Sequence, residues 1–179
     1  DVCSSDLYYL KPNVLFLVLD ALPAKKCYKN SQNAKIPNIE KLMKNGITFK
    51  QAISSGDETP VSFASMFTAK FPFKGAIRPS LWTYKYRDNS NNYIKILKKN
   101  DYQTYATLPK LTAWKEIFSD FEIDYYLSHN ERLYHGLGDK ILKKINEKKM
   151  NKPWFYLLHL LDSHKPIKYP NEFDTNEFG

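Results

Sequence analysis

The sequence predicts an α/β fold, and three observations carry that prediction. Two apolar runs of strand length, "VLFLVL" (Val14 to Leu19) and "WFYLLHLL" (Trp154 to Leu161), lie near opposite ends of the chain. Segments of helical period separate them, and strands alternating with helices imply an α/β layer arrangement. At 179 residues, the chain has one domain's worth of length and can bury a real core.

The elements follow in order. "KPNVLFLVLDALP" reads as an opening loop and a buried strand rich in β-branched and aromatic residues. Asp20 stands at its carboxyl end, where parallel α/β sheets place their ligands. "IPNIEKLMKNG" is a short helix, with Pro37 in its first turn, Ile39, Leu42 and Met43 as an apolar face, and Gly46 suited to the C′ position. "ITFKQAIS" begins with the alternation of a half-exposed strand, and "SGDETP" is a turn cluster. Thr59-Pro60 then suits an N-cap followed by proline at N1, opening the helix "TPVSFASMFTAKFP". "NNYIKILKKN" is an amphipathic helix and "YQTYATL" a strand. "GDKILKKINEKK" repeats the helical pattern with Ile141, Leu142 and Ile145 inward. Residues 75–90 and 108–135 carry no regular period, and no internal repeat or interdomain linker is visible.

Composition excludes several classes. Hydrophobic residues at 42% and aromatics at 15% rule out a disordered chain. No apolar run approaches the roughly 20 residues of a membrane span. The formal charge of +8 comes mostly from lysines spread along helical segments, which favours compositional bias over a polyanion surface. No helix-turn-helix, zinc-finger or RNP-like pattern accompanies it, so no nucleic-acid partner is expected. The first seven residues, "DVCSSDL", match a translated sequencing-adapter end and read as a non-native tail, with residues 8–179 as the domain proper. Without that tail Cys27 is the single cysteine, so no internal disulfide framework is expected.

Asp20, Thr59 and the "DSH" of Asp162 to His164 are the polar groups at strand ends or a helix start. Each has a plain structural use: a turn residue, a helix cap, a loop histidine. His159, inside the second strand, reads as a core residue. Together the first three suit ester chemistry at phosphorus or sulfur. A helix N-terminus offers free N–H groups and a positive dipole end to a tetrahedral oxyanion. A hydroxyl there becomes a nucleophile when a metal ion lowers its pKa. A strand-end carboxylate is a hard-oxygen ligand for such an ion. A histidine after a later strand can hold a substrate oxygen or protonate a leaving group.

The order of "PNVLFLVLDAL", "IPNIEKLMKNGITFKQAIS", "TPVSFASMFTAKFP" and "PWFYLLHLLDSHKP" resembles successive landmarks of the sulfatase branch of the alkaline phosphatase superfamily, from about Lys11 to Pro170. The resemblance implies a three-layer α/β/α sandwich around a largely parallel sheet, and that residues 8–179 form the N-terminal part of one catalytic domain. It implies a divalent metal ion (Zn, Mn, Ca or Mg) held by Asp20 and Thr59. Thr59 falls on the family's nucleophile position, with Ser62 one helical turn on as a substrate-binding group. His164 falls on the histidine that contacts substrate near the metal.

Two departures sharpen the expectation. Sulfatases convert a cysteine or serine to formylglycine within a Cys-x-Pro-x-Arg type motif, whereas this chain has Thr59, with Phe63 at the arginine position. Threonine cannot become formylglycine, which favours the family's threonine-nucleophile phosphodiesterases and phosphotransferases. Asp20-Ala21 replaces the paired acids of many sulfatases, in keeping with a simpler metal site. The Asp-His or Asp-Asn pair completing the family's site is expected beyond Gly179, so the 179-residue piece is expected to be inactive alone. The substrate would be an anionic phosphate or sulfate ester of a lipid, glycan or small molecule. An upstream segment would make the protein membrane-anchored or extracytoplasmic and supply any membrane contact. The alternatives are a conventional sulfuric ester hydrolase and a catalytically inactive domain binding anionic glycans or lipids.

Overall fold

A computed structural model describes residues 11–27, 36–74, 77–80, 83–110, 112–127, 131–147 and 153–164. The adapter-like stretch, the end of the "GDKILKKINEKK" helix and everything after His164 lie outside the described residues. Four strands form one parallel sheet: β1 (Val14–Leu19), β4 (Gln103–Pro109), β5 (Glu122–Leu127) and β6 (Trp154–Leu160). Strands β2 (Arg78–Ser80) and β3 (Thr83–Lys85) form a separate antiparallel pair. The helices are α1 (Pro37–Asn45), α2 (Thr59–Thr68), α3 (Tyr93–Lys99) and α4 (Leu137–Asn146).

The sheet order is β1-β6-β4-β5, so the last strand inserts between the first and β4. Val14 pairs with Phe155 and Leu19 with Leu160, and the ladder continues one step further, where the Asp20 amide donates to the Leu160 carbonyl at 2.9 Å. This register brings the carboxyl ends of β1 and β6 side by side.

Strand alternation divides the core into two layers. Phe155 and Leu157 of β6, with Ala106 and Leu108 of β4, face Phe63, Ala64 and Phe67 of α2 and Ile94 of α3. Tyr156, Leu158 and Leu160 point the other way, against Leu137 and Ile141 of α4. Helices therefore cover both faces of a parallel sheet, the three-layer arrangement expected from the sequence. Burying each large side chain contributes about 1.5–3 kcal/mol, so the Phe63–Phe67 stripe is what holds α2 to the sheet. Helix α3 starts at Asn92, a buried N-cap whose side-chain oxygen accepts from the Ile94 amide at 3.0 Å.

Several local readings change in three dimensions. "ITFKQAIS" is not a strand: it alternates but finds no partner edge, and Ile47, Phe49 and Ile53 are exposed. Gly46 ends α1 with φ −133°, in extended rather than left-handed backbone. Leu42 and Leu142, assigned to inward faces, are 68% and 58% exposed, whereas Ile141 is buried. Strand β1 packs Val14, Phe16 and Val18 against the α2 layer, while on its other face Leu15 and Leu17 remain about half exposed and Leu19 packs against the α4 layer. The stretches without regular period hold the β2–β3 pair and β5. Among the described residues, no helix is long and apolar enough to cross a membrane.

Candidate functional site

An open cleft of about 740 Å³ lies at the carboxyl ends of β1 and β6, beneath the N-terminus of α2. Asp20, Thr59, Ser62, Trp114, His159 and His164 all line it. Asp20 reaches it because β1 ends there. Ala21 turns the chain away with φ +57°, a left-handed conformation that a non-glycine residue adopts at some cost.

Thr59 arrives from the other side, on the first turn of α2. The cap residue is Glu58, not Thr59: its backbone is extended, and its carbonyl accepts the first intrahelical bond from the Ser62 amide at 2.9 Å. Thr59 is therefore already helical, and its side chain is not spent on capping. Its Oγ1 instead donates to Asp20 Oδ2 at 3.3 Å, across 39 residues of sequence. Glu58 itself accepts a hydrogen bond from the Tyr84 hydroxyl, which pushes the Tyr84 pKa above its ordinary 10.0.

His159 completes this cluster, though the sequence marked it only as core. It is fully buried, and β6 alternation puts it on the face of Phe155 and Leu157, towards α2. Its Nε2 lies 3.0 Å from the same Asp20 Oδ2. The signal available in the sequence was a polar side chain inside an apolar strand, which demands a partner when buried. That hydrogen bond is the main reason the Asp20 carboxyl sits below its ordinary 3.8; burial opposes it, while the charges of His159 and His164 and the Thr59 hydroxyl assist. Asp20 thus stays a carboxylate, the form that can ligate a cation.

The "DSH" segment is tied to the same place. Ser163 Oγ donates to the Asp20 carbonyl at 2.7 Å. Asp162 Oδ1 accepts from the Leu133 amide at 2.9 Å, and the His164 amide closes a turn onto the Leu161 carbonyl at 3.0 Å. His164 itself is exposed and lines the cleft.

Ser62, expected to touch substrate, is also on the cleft, but its hydroxyl is engaged within the protein. It donates to the Gly56 carbonyl at 3.2 Å and lies 3.0 Å from Ser54 Oγ. The loop before α2 is held close enough that a Cβ on Gly56 would stand 2.5 Å from Val61 Cγ1. Gly56→Ala should therefore displace this loop and destabilise the fold by about 1–3 kcal/mol. The drop would be read as a lower urea midpoint, and an unchanged midpoint would count against the packing described.

The donor chemistry of this site suits part of a divalent metal shell. The Asp20 carboxylate and Thr59 hydroxyl are hard oxygen donors separated by 3.3 Å. Two ligands on one tetrahedral ion, each about 2.0–2.2 Å from it, stand about 3.3–3.6 Å apart. Among the described residues, no group of three or more His, Cys, Asp or Glu is arranged to hold a metal ion. The pair therefore fits as two donors of a set, not as a complete site.

A model of the Sulfatase family matches residues 12–179. The C-terminal periplasmic domain of EcEptC from Escherichia coli, in complex with Zn, aligns with TM-score 0.62 at 15% identity, over 94% of this chain and 51% of that one. The periplasmic domain of phosphoethanolamine transferase EptC from Campylobacter jejuni aligns with TM-score 0.59 at 22% identity, over 94% and 54%. The lipoteichoic acid synthase LtaP from Listeria monocytogenes gives 0.60 at 15% identity, over 94% and 45%. The chain spans about half the length of the solved structures it matches, and at these identities the likeness is one of fold.

Proposed function

Because this chain belongs to the Sulfatase family, we propose that it carries the nucleophile half of a metal-dependent phosphoester hydrolase or transferase, with Thr59 as nucleophile. The observation that carries the reading is the Thr59 hydroxyl at a helix N-terminus, 3.3 Å from a strand-end carboxylate that is distant in sequence. The neighbouring structures support phosphorus as the reacting centre, since two are a phosphoethanolamine transferase and a lipoteichoic acid synthase. A threonine cannot be converted to formylglycine, which weighs against conventional sulfatase chemistry.

Asp20 and Thr59 are the residues of this chain that would hold a divalent ion. Such an ion, when bound, lowers the hydroxyl's pKa and draws negative charge from the ester oxygens. The Asp20 carboxylate also orients Oγ1 through the hydrogen bond it accepts. As the Oγ1–phosphorus bond forms, the ester phosphorus–oxygen bond opposite it breaks and the hydroxyl proton passes to water in the open cleft, leaving Asp20 ionised. The positive end of the α2 dipole, at the helix start that carries Thr59, favours the negative charge that develops on phosphorus. His164, at the open edge of the cleft, positions the ester or protonates the departing alkoxide. Water or an acceptor alcohol then releases the phosphoryl group from Thr59.

The covalent step is directly testable. Incubating the complete protein with bis-p-nitrophenyl phosphate and quenching in acid should release one p-nitrophenolate and leave a p-nitrophenylphosphoryl group on Thr59, read by peptide mass spectrometry. Turnover with no modified Thr59 at any quench time would reject the nucleophile assignment.

A further inference from the structure

We propose that His159 is a positioning residue of this site: its buried ring, clamped between Phe63 and Trp114, donates Nε2–H to Asp20 Oδ2 and fixes the carboxylate that faces Thr59. The proposal rests on the phosphoester reading above for its catalytic consequence, but not for its geometry.

Three observations support it. The ring is fully buried and its neighbours are aromatic on two sides. Phe63 meets it edge-on at 5.1 Å between centroids, and Trp114 stacks on it at 6.1 Å with planes 27° apart. The ring is thereby packed against two aromatic neighbours. The second observation is the tautomer that the contacts require. Asp20 is a carboxylate and only accepts, so the hydrogen at 3.0 Å belongs to Nε2. Among the described residues Nδ1 is buried with no hydrogen-bond partner, so Nε2 is the ring nitrogen that ties His159 to the site. A proton on Nδ1 in place of Nε2 would strand a buried donor and face a nitrogen lone pair towards the carboxylate.

The third observation is convergence on one atom. Oδ2 of Asp20 receives both the His159 Nε2–H and the Thr59 hydroxyl. The Asp20 backbone is fixed as well, through its amide to Leu160 and its carbonyl to Ser163. His159 rises from β6, which pairs with β1 on one side and β4 on the other and is the best anchored of the three backbones. Thr59 sits on a helix start and Ser163 on a turn. The rigid donor sets the carboxylate, and the carboxylate then sets the direction of the Thr59 hydroxyl.

The test separates geometry from catalysis. Long-range 1H–15N spectra of the histidine-labelled protein should show His159, assigned by its loss in His159→Phe, with its proton on Nε2. Asp20→Asn should move that proton's resonance, whereas Thr59→Ala should leave the tautomer unchanged. A proton on Nδ1, or no response to Asp20→Asn, overturns the proposal. In turnover of bis-p-nitrophenyl phosphate by the complete protein, His159→Phe keeps the aromatic packing but removes the donor. It should lower kcat by about 10- to 100-fold, with KM changed less than about threefold. His159→Gln, whose amide can place a donor near the Nε2 position, should recover most of that loss. Folded Phe and Gln variants with equal kcat also overturn it. Should the wild type not turn over any phosphodiester, the phosphoester reading fails, and the spectra alone decide the role of His159.

Discussion

Thr59→Ala in the complete protein should reduce kcat for a phosphodiester by about 10⁴-fold or more, the scale of removing a covalent nucleophile. The fold should survive, because the Thr59 side chain does no capping. Glu58 is the N-cap, and the methyl of alanine suits a first-turn position. The one hydrogen bond lost is the 3.3 Å contact to Asp20, which keeps its His159 partner. The melting temperature should accordingly move by only a few degrees. Serine at the same position supplies the hydroxyl without the γ-methyl and should retain more activity than alanine. Turnover by the alanine variant within tenfold of wild type would remove Thr59 from the mechanism.

Phe67→Ala should have the largest effect on stability, a loss of about 3–5 kcal/mol. Phe67 is fully buried at the point where α2, α3 and the 117–121 segment meet the sheet. Its ring touches Phe63, Tyr93, Phe118 and Phe121, with centroids 5.4–5.9 Å apart. These neighbours project from α2 itself, from α3 and from the 117–121 segment, and cannot all collapse into the space an alanine would leave. A small domain has about 5–15 kcal/mol in total, so the variant should be largely unfolded by mild urea. Equilibrium denaturation followed by circular dichroism measures this directly, and a midpoint within experimental scatter of wild type would contradict the packing. Because α2 also carries Thr59, activity should fall with the fold in this variant, in contrast to Thr59→Ala.

Local elements with a strong period were readable before folding was considered. Strand β1 was bounded to the residue and β6 to within one, because each is a short apolar run ended by polar residues. Helices α2 and α3 were likewise marked, the first by Pro60 and the second by its amphipathic spacing. Where regularity was too brief, reading failed: β2 and β3 are three residues each, too short for a two-residue alternation to stand out. Residues 47–54 failed in the opposite sense, since alternation makes a strand only when an edge is available to pair with.

The amino-acid sequence by itself determined the α/β class, the strand-end Asp20, the helix-start Thr59 and the "DSH" turn, since all are products of local pattern. Tertiary structure alone decided that these groups meet. Inserting β6 beside β1 joins Asp20 to a histidine 139 positions away. No local propensity encodes that pairing, because strand order is chosen by which faces can be buried together. The same insertion gave His159 its second identity. In the sequence it is one polar residue in an apolar run. In the folded sheet the strand's two-residue alternation turns it towards α2, where its buried Nε2 lies 3.0 Å from Asp20 Oδ2.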